Sequence, residues 1–294
     1  MKESSRTKIY GLLMLASVIW GFQPVTLKWL LPEWTPTAIT TVRLCLFGIM
    51  LLLYSWYREG RRLLPDRHSL AIIMTMSLCY VLNNILQFTG LRYTTVTNTT
   101  LIVALGPALT AVLAAVFLRE RLSGLAKLGV AVSLIGSLVV ISNGDVGIIT
   151  GIAFNIGDLF CVLAQLSWTG YTLLTLGLLK KMSIVTVTGW SALFSSVYSY
   201  IYGLLTEPFV LTALSPLAMG AFFYILFFGG IVATLAWNLG VKSAGASVTS
   251  IFLYLMPVVG MLSGWLILGE EISVAKLVGA ATIFGGVYLT THNS

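Results

Sequence analysis

Arg43 and Asp158 stand well inside the long apolar runs of this 294-residue chain, and Lys28 lies near the end of the first. Charge within a membrane-length apolar run costs about 2.5–3.5 kcal/mol at mid-helix and points to function by default. Asp158 could couple to protons, hold a substrate amine, or bond a neighbouring helix. Arg43 could pair with Asp158 or with backbone carbonyls, or face a carboxylate. Lys28, near a helix end, can snorkel to an interface. Around them lie neutral polar and aromatic residues at helical spacing. Tyr80, Asn83, Asn84 and Gln87 follow i, i+3, i+4, i+7, and Asp158, Cys161, Gln165, Trp168 and Thr172 form a similar stripe. Trp20 (with Ser17 and Pro24), Trp237, Asn238 and Tyr254 add to these faces. Aromatic walls with amide groups suit recognition of a small neutral or zwitterionic molecule. The competing reading is glue between helices, worth about 0.6 kcal/mol per bond.

Bond-breaking chemistry finds no support. His68 and His292 lie outside the apolar runs, which excludes a metal cluster or a Ser–His pair inside them. An intramembrane aspartyl protease needs two buried aspartates, and only Asp158 qualifies. No GxxxxGK[ST] loop is present to hold ATP. Cys45, Cys79 and Cys161 have no CxxC spacing and read as small core residues. The expectation is a non-enzyme with no metal and no cofactor.

The elements that position these residues follow from composition. Hydrophobic residues make up 57% of the chain, charged residues only 9%, and the mean hydropathy is +0.95. Soluble domains carry about 25% charge, so a water-facing surface cannot be built. A β-barrel would need polar alternation that this hydropathy leaves no room for. Apolar runs at 9–30, 36–57, 69–91, 95–118, 124–142, 151–177, 183–205, 215–240, 245–268 and 274–291 predict ten helices, each near the 20 or so residues that cross a bilayer. The first run exceeds a signal-peptide core and is expected to be retained.

Basic residues orient the bundle. With the N-terminus inside, thirteen of the seventeen Lys and Arg fall in inside segments and two, Arg92 and Lys276, outside. The positive-inside rule then places both termini in the cytoplasm, and it assigns the net charge of +7 to topology, not to nucleic acid.

A shift of 150 residues lays 90–142 onto 240–292 without a gap. Gly90 meets Gly240, Pro107 meets Pro257, Glu120 meets Glu270, Ser123 meets Ser273, and Gly129 and Gly136 meet Gly279 and Gly286. The chain reads as a duplication, 1–147 and 148–294. Five helices per copy force the second copy in upside down, a device of secondary transporters, with the substrate site near the midplane. Pro107 and Pro257, expected near the middle of helices 4 and 9, are either static kinks or paired hinges. Glu120 and Glu270 lie in short turns, where Ser123 and Ser273 read as N-caps.

With these residues in place, the sequence resembles the EamA-type branch of the drug/metabolite transporter superfamily over essentially its whole length. The carrying stretches are Trp20-Gly21, Arg43, Gly90-Leu91-Arg92-Tyr93-Thr94-Thr95 to Pro107, Leu118-Arg119-Glu120-Arg121-Leu122-Ser123, Gly157-Asp158-Leu159, Pro257 and Leu268-Gly269-Glu270-Glu271. The resemblance implies ten helices in two inverted halves, a central cavity, and export of small metabolites, often amino acids.

The expectation is therefore an all-α membrane protein: ten transmembrane helices as two inverted five-helix repeats around a central cavity. It would be a multi-pass protein of a prokaryotic cytoplasmic membrane, monomer or homodimer, with lipid and a small-molecule substrate as partners. Alternating access would export an amino acid or related zwitterion. Trp20, Tyr80, Asn84, Gln87, Gln165, Trp168, Trp237, Asn238 and Tyr254 are the candidate substrate contacts. Asp158 and Arg43 are the coupling or ion-pair candidates. An uncoupled facilitator, a channel-like pore and a non-transporting scaffold remain alternatives.

Overall fold

The structure is a computed structural model and describes residues 3–60, 64–91, 93–94, 102–120, 122–150, 155–206, 209–268 and 272–292. Arg92 and Glu270 fall outside the described residues, as does the Lys28 side chain. The described part of every apolar run is predominantly helical, and no strand occurs among the described residues. The longer helices among the described residues are α1 (Glu3–Leu30), α2 (Pro36–Glu59), α3 (Arg67–Leu91), α4 (Gly106–Phe117), α5 (Gly124–Ser142), α6 (Ile156–Leu178), α7 (Ile184–Thr206), α8 (Pro216–Ala244), α9 (Ala246–Ile267) and α10 (Val274–His292), with a five-residue helix, Val146–Thr150, between α5 and α6.

Eight of the ten are long and apolar enough to cross a membrane. The exceptions are instructive. In α4 the described apolar helix covers Ile102–Phe117 only. In α7 the 23 residues include four serines and three threonines. Most of these hydroxyls are buried, at Thr186, Thr188, Ser191, Ser195, Ser196 and Ser199. A helix that turns its polar face onto other helices can be less apolar than one that meets lipid.

Two compact units make up the chain: 1–81 with 174–242, and 82–173 with 243–294. Each takes helices from both sides of residue 147. The reason is that helices pack with their counterparts one half-chain away.

In the first unit α2 lies antiparallel to α7. Thr41 Oγ1 donates to Ser199 Oγ (3.1 Å), and Ser55 Oγ lies 2.9 Å from Thr186 Oγ1. Gly48 lies so close that a Cβ there would stand 3.1 Å from the Gly189 carbonyl. Behind them Ser195 donates to the Ser77 carbonyl of α3 (3.1 Å).

In the second unit α5 lies antiparallel to α10. A Cβ on Gly129 would meet the Gly286 carbonyl at 2.6 Å, and one on Gly136 would meet the Gly279 carbonyl at 2.8 Å. Thr290 Oγ1 donates to the Ala126 carbonyl (3.2 Å), and Ser273 Oγ donates to Asn143 Oδ1. Small residues let the two backbones touch, which replaces the hydrophobic drive that lipid removes.

Helix ends are closed by capping. Ser123 accepts from the Ala126 N–H (3.1 Å) and Ser273 from the Lys276 N–H (3.2 Å), as the sequence predicts. At the start of α8, Ser215 accepts from the Ala218 N–H (3.3 Å). Its own N–H donates to Glu33 Oε2 (2.7 Å) and its hydroxyl to Oε1 (2.5 Å). These two bonds hold the Glu33 carboxyl below the usual glutamate range.

Two expected outcomes follow from these contacts. Gly136→Val and Gly286→Val force backbone atoms apart and should each cost about 1–3 kcal/mol, read as lower melting temperatures in detergent. Gly285→Ala, with open space around its Cβ, should leave melting unchanged. For Glu33, the lowered carboxyl stabilises the fold above the ordinary value of 4.5 and loses that contribution as pH falls through its own. The melting-temperature gap between the wild type and Glu33→Ala should therefore close on acidification.

Candidate functional site

The candidate residues fall into two groups, one in each unit. Trp20, Arg43, Tyr80, Trp237 and Asn238 belong to the first; Asn84, Gln87, Pro107, Asp158, Gln165, Trp168, Tyr254 and Pro257 to the second. The stripe on α3 is therefore divided. Tyr80 packs on the apolar core of the first unit, and Asn83 Nδ2 donates to the Ala164 carbonyl in the second (3.0 Å). Asn84 and Gln87 are half-buried.

In the first unit two interrupted helices meet. Pro24 lies inside α1 and has no N–H to offer the Trp20 carbonyl one turn back. Opposite, residues Tyr224–Val232 of α8 wind as a π-helix. Trp20 Nε1 donates to the Gly229 carbonyl inside that segment (3.0 Å), and the Tyr224 hydroxyl donates to the Ile19 carbonyl (3.1 Å). The Trp20 and Trp237 rings lie 5.6 Å apart, tilted by 51°. Asn238 is fully buried, and its Nδ2 donates to Thr188 Oγ1 (2.8 Å). Wide π turns recur at functional sites because they re-aim side chains and loosen the ladder.

Arg43 is 8% exposed and its Nε has no hydrogen-bond partner among the described residues. Each of three carboxylates of its unit is bonded elsewhere. Glu33 takes Ser215, Glu59 takes Thr186 and Asp66 takes the Ser69 N–H.

In the second unit Gln165, on α6, lies against the start of α4, where a Cβ on Gly106 would stand 2.5 Å from its Oε1. One turn on, the Thr110 and Thr169 hydroxyls are 3.0 Å apart. Trp168 stacks on Tyr171 with ring centres 5.5 Å apart. Tyr254 is buried, with its hydroxyl toward the Ala108 backbone.

Pro107 and Pro257 do not sit near the middle of unbroken helices. A turn at Leu105 precedes α4, and Pro107 stands in its first turn. In α9 a 3-10 segment, Phe252–Tyr254, comes just before Pro257. Each proline thus follows a break that already releases the carbonyl it could not serve. The Ser250 hydroxyl reaches the Pro107 carbonyl (3.3 Å).

Asp158 stands in the first turn of α6, which begins at Ile156, instead of eight residues inside it. Its Oδ1 accepts from Thr94 Oγ1 (2.6 Å) and its Oδ2 from the Asn155 N–H (2.9 Å). Asn155 Oδ1 in turn accepts from the Gly157 and Asp158 N–H groups (2.7 and 3.2 Å). This is a capping box, visible in sequence as Asn155-x-x-Asp158. Beside it Gly90 and Gly157 bring α3 onto α6: a Cβ on Gly157 would stand 2.6 Å from the Gly90 carbonyl. Asp158 therefore ties the end of α3 to the start of α6.

Glu120 has a similar duty. Its Oε1 and Oε2 accept the N–H groups of Ala246 and Ser247 (2.9 and 3.0 Å), capping α9 after Gly245, which has φ of 86°. Nothing local in the sequence marks that pairing.

Many apolar spans, buried hydroxyl and amide faces, and helices broken beside them describe a multi-pass membrane protein built to handle a solute. The particular family is shown by comparison. The profile of the EamA-like transporter family matches residues 7–142 and 155–292, and the chain belongs to that family. The uncharacterized transporter YyaM of Bacillus subtilis is 28% identical over 281 residues, covering 95% of this chain and 92% of YyaM. An S-adenosylmethionine/S-adenosylhomocysteine transporter of Chlamydia muridarum is 24% identical over 292 residues, covering 96% of this chain and 91% of that one. A crystal structure at 17% identity superposes with a TM-score of 0.83 over 97% of both chains, so the fold is shared.

If Asp158 and Thr94 act as one tie, Asp158→Ala and Thr94→Val should each lower stability by about 1–3 kcal/mol. The double variant should lose little more than the worse single one. Additive losses in a double-mutant cycle of melting temperatures would break the tie.

Proposed function

We propose that the chain is a secondary transporter that exports a small amino acid or related zwitterion by alternating access. Two five-helix repeats, 1–147 and 148–294, would lie inverted in a prokaryotic cytoplasmic membrane with both termini cytoplasmic. The observation that carries this reading is the antiparallel pairing of counterparts. In the register of 150 residues, Gly129 and Gly136 correspond to Gly279 and Gly286, and these are the positions where α5 and α10 touch. A fold and its inverted copy can exchange two conformations of similar energy, one open to each side, and this is the property a carrier requires.

The substrate class rests on the neutral residues. Amide and aromatic groups such as Gln165, Trp168, Trp20 and Trp237 suit a solute with little net charge. The two compounds in the name of the chlamydial relative both carry an α-amino carboxylate. Asp158 is committed to Thr94 and Asn155 through both oxygens, which favours an exchanger or facilitator over proton coupling at this residue.

Purified protein in proteoliposomes, preloaded with an unlabelled mixture of the twenty common L-amino acids, tests the proposal. Uptake of the labelled mixture should saturate and be accelerated by the internal load, whereas a pore gives linear, load-independent flux. Absence of uptake of every amino acid would remove the substrate assignment. Gln165→Leu should slow uptake about tenfold, the effect of losing one buried hydrogen bond. Asp158→Asn should leave the response to a pH gradient as it is in the wild type.

A further inference from the structure

Among the described residues, Arg43 is the one basic residue whose side chain is buried. It lies seven residues into α2, about 10 Å from the helix start at 1.5 Å per residue. The α2 stripe formed by Thr41, Gly48 and Ser55 turns to α7. Arg43 stands roughly 140° round the helix from that stripe, at 100° per residue. Phe47, one turn further on, shares its face and meets α8 inside the π-helical segment. A Cβ on Gly230 would stand 3.1 Å from the Phe47 ring. Gly229, the neighbour of Gly230, is the residue whose carbonyl takes the Trp20 indole. Arg43 therefore flanks the place where α1 and α8 are both interrupted and where Trp20 meets Trp237.

A guanidinium this deep needs an anion. Glu33, Glu59 and Asp66 are engaged elsewhere, and Nε is sealed from solvent without a partner among the described residues. The planar fork of arginine matches a carboxylate or a phosphate with two parallel bonds. With a single buried cation to neutralise it, a singly charged carboxylate fits better than a doubly charged phosphate.

We propose that Arg43 is a substrate-binding residue that receives the carboxylate of the transported solute beside the Trp20–Trp237 pair. The inference rests on the reading of the chain as a transporter of zwitterions and deepens it: the carboxylate is the obligatory part of the substrate. A solute whose carboxylate is replaced by a carboxamide presents a donor to a donor and is rejected.

The test uses full-length protein in detergent, followed by intrinsic fluorescence during heating. The additives are the twenty L-amino acids and their carboxamides, at matched ionic strength. Further arms contain inorganic phosphate or phosphatidylglycerol. At least one amino acid is expected to raise the melting temperature of the wild type, with its carboxamide needing about tenfold or more concentration for the same rise. Arg43→Gln should lose that discrimination, and Arg43→Lys, which keeps the charge without the fork, should retain part of it. Where Arg43→Gln does not fold, Arg43→Lys and the wild-type comparison of acid with amide decide.

Equal stabilisation by acid and amide overturns the proposal, as does discrimination that survives Arg43→Gln. Arg43-dependent stabilisation by phosphate or phosphatidylglycerol alone would assign the residue to a phosphate or a lipid headgroup instead, and also overturns it. The proteoliposome assay keeps the two readings apart. Uptake without carboxylate discrimination sinks this inference alone. Arg43-dependent discrimination without uptake sinks the transport reading and leaves the carboxylate site.

Discussion

A hydrocarbon solvent offers no hydrogen bonds, and that constraint shapes this chain more than any other. A hydroxyl or amide within a span is stabilised when another part of the protein answers it. The serines and threonines of α7 are answered by Thr41, Ser55 and the Ser77 carbonyl. Ser133 of α5 and Thr290 of α10 bond to carbonyls across their seam, with the glycines bringing the backbones close enough. Since apolar burial gains nothing between helices in lipid, close packing and these bonds hold the bundle together. Polar residues that look expensive in a hydropathy plot are therefore the ones that specify which helices pair.

The same constraint explains why breaks cluster. A helix interrupted in lipid would expose carbonyls, and the proline of α1 and the irregular windings of α4, α8 and α9 lie where neighbouring side chains supply hydrogen bonds. Trp20 and Tyr224 bridge α1 and α8 there, and the Ser250 hydroxyl reaches the Pro107 carbonyl. Interrupted segments are also where a helix can change its winding at low cost. In the carrier proposed above, structural economy and motion would converge on the same residues.

The two buried charges have opposite fates. Asp158 is surrounded by donors from its own capping box and from Thr94, so its charge is neutralised locally by N–H and O–H dipoles. Arg43 has an apolar neighbour one turn on and carboxylates that are occupied elsewhere. Both look alike in sequence, as lone ions in apolar runs. What separates them is whether other chain segments bring complementary groups, and among the described residues Asp158 has them while Arg43 Nε does not.

The all-helical class and the gapless likeness of 90–142 to 240–292 were determined by the sequence alone. Hydropathy and period depend on residues close together in the chain, and a gapless shift of 150 residues depends on identity, not on shape. The serine caps at 123 and 273 were legible for the same reason, as was the Asn155-x-x-Asp158 box. Tertiary structure decided the rest. It placed Pro107 and Pro257 after breaks instead of inside straight helices, and it wound Tyr224–Val232 as a π-helix. It sent Glu120 to cap a helix more than a hundred residues away. It also divided the α3 stripe between two compact units. These outcomes depend on which distant backbone stands opposite, and local composition carries no record of that.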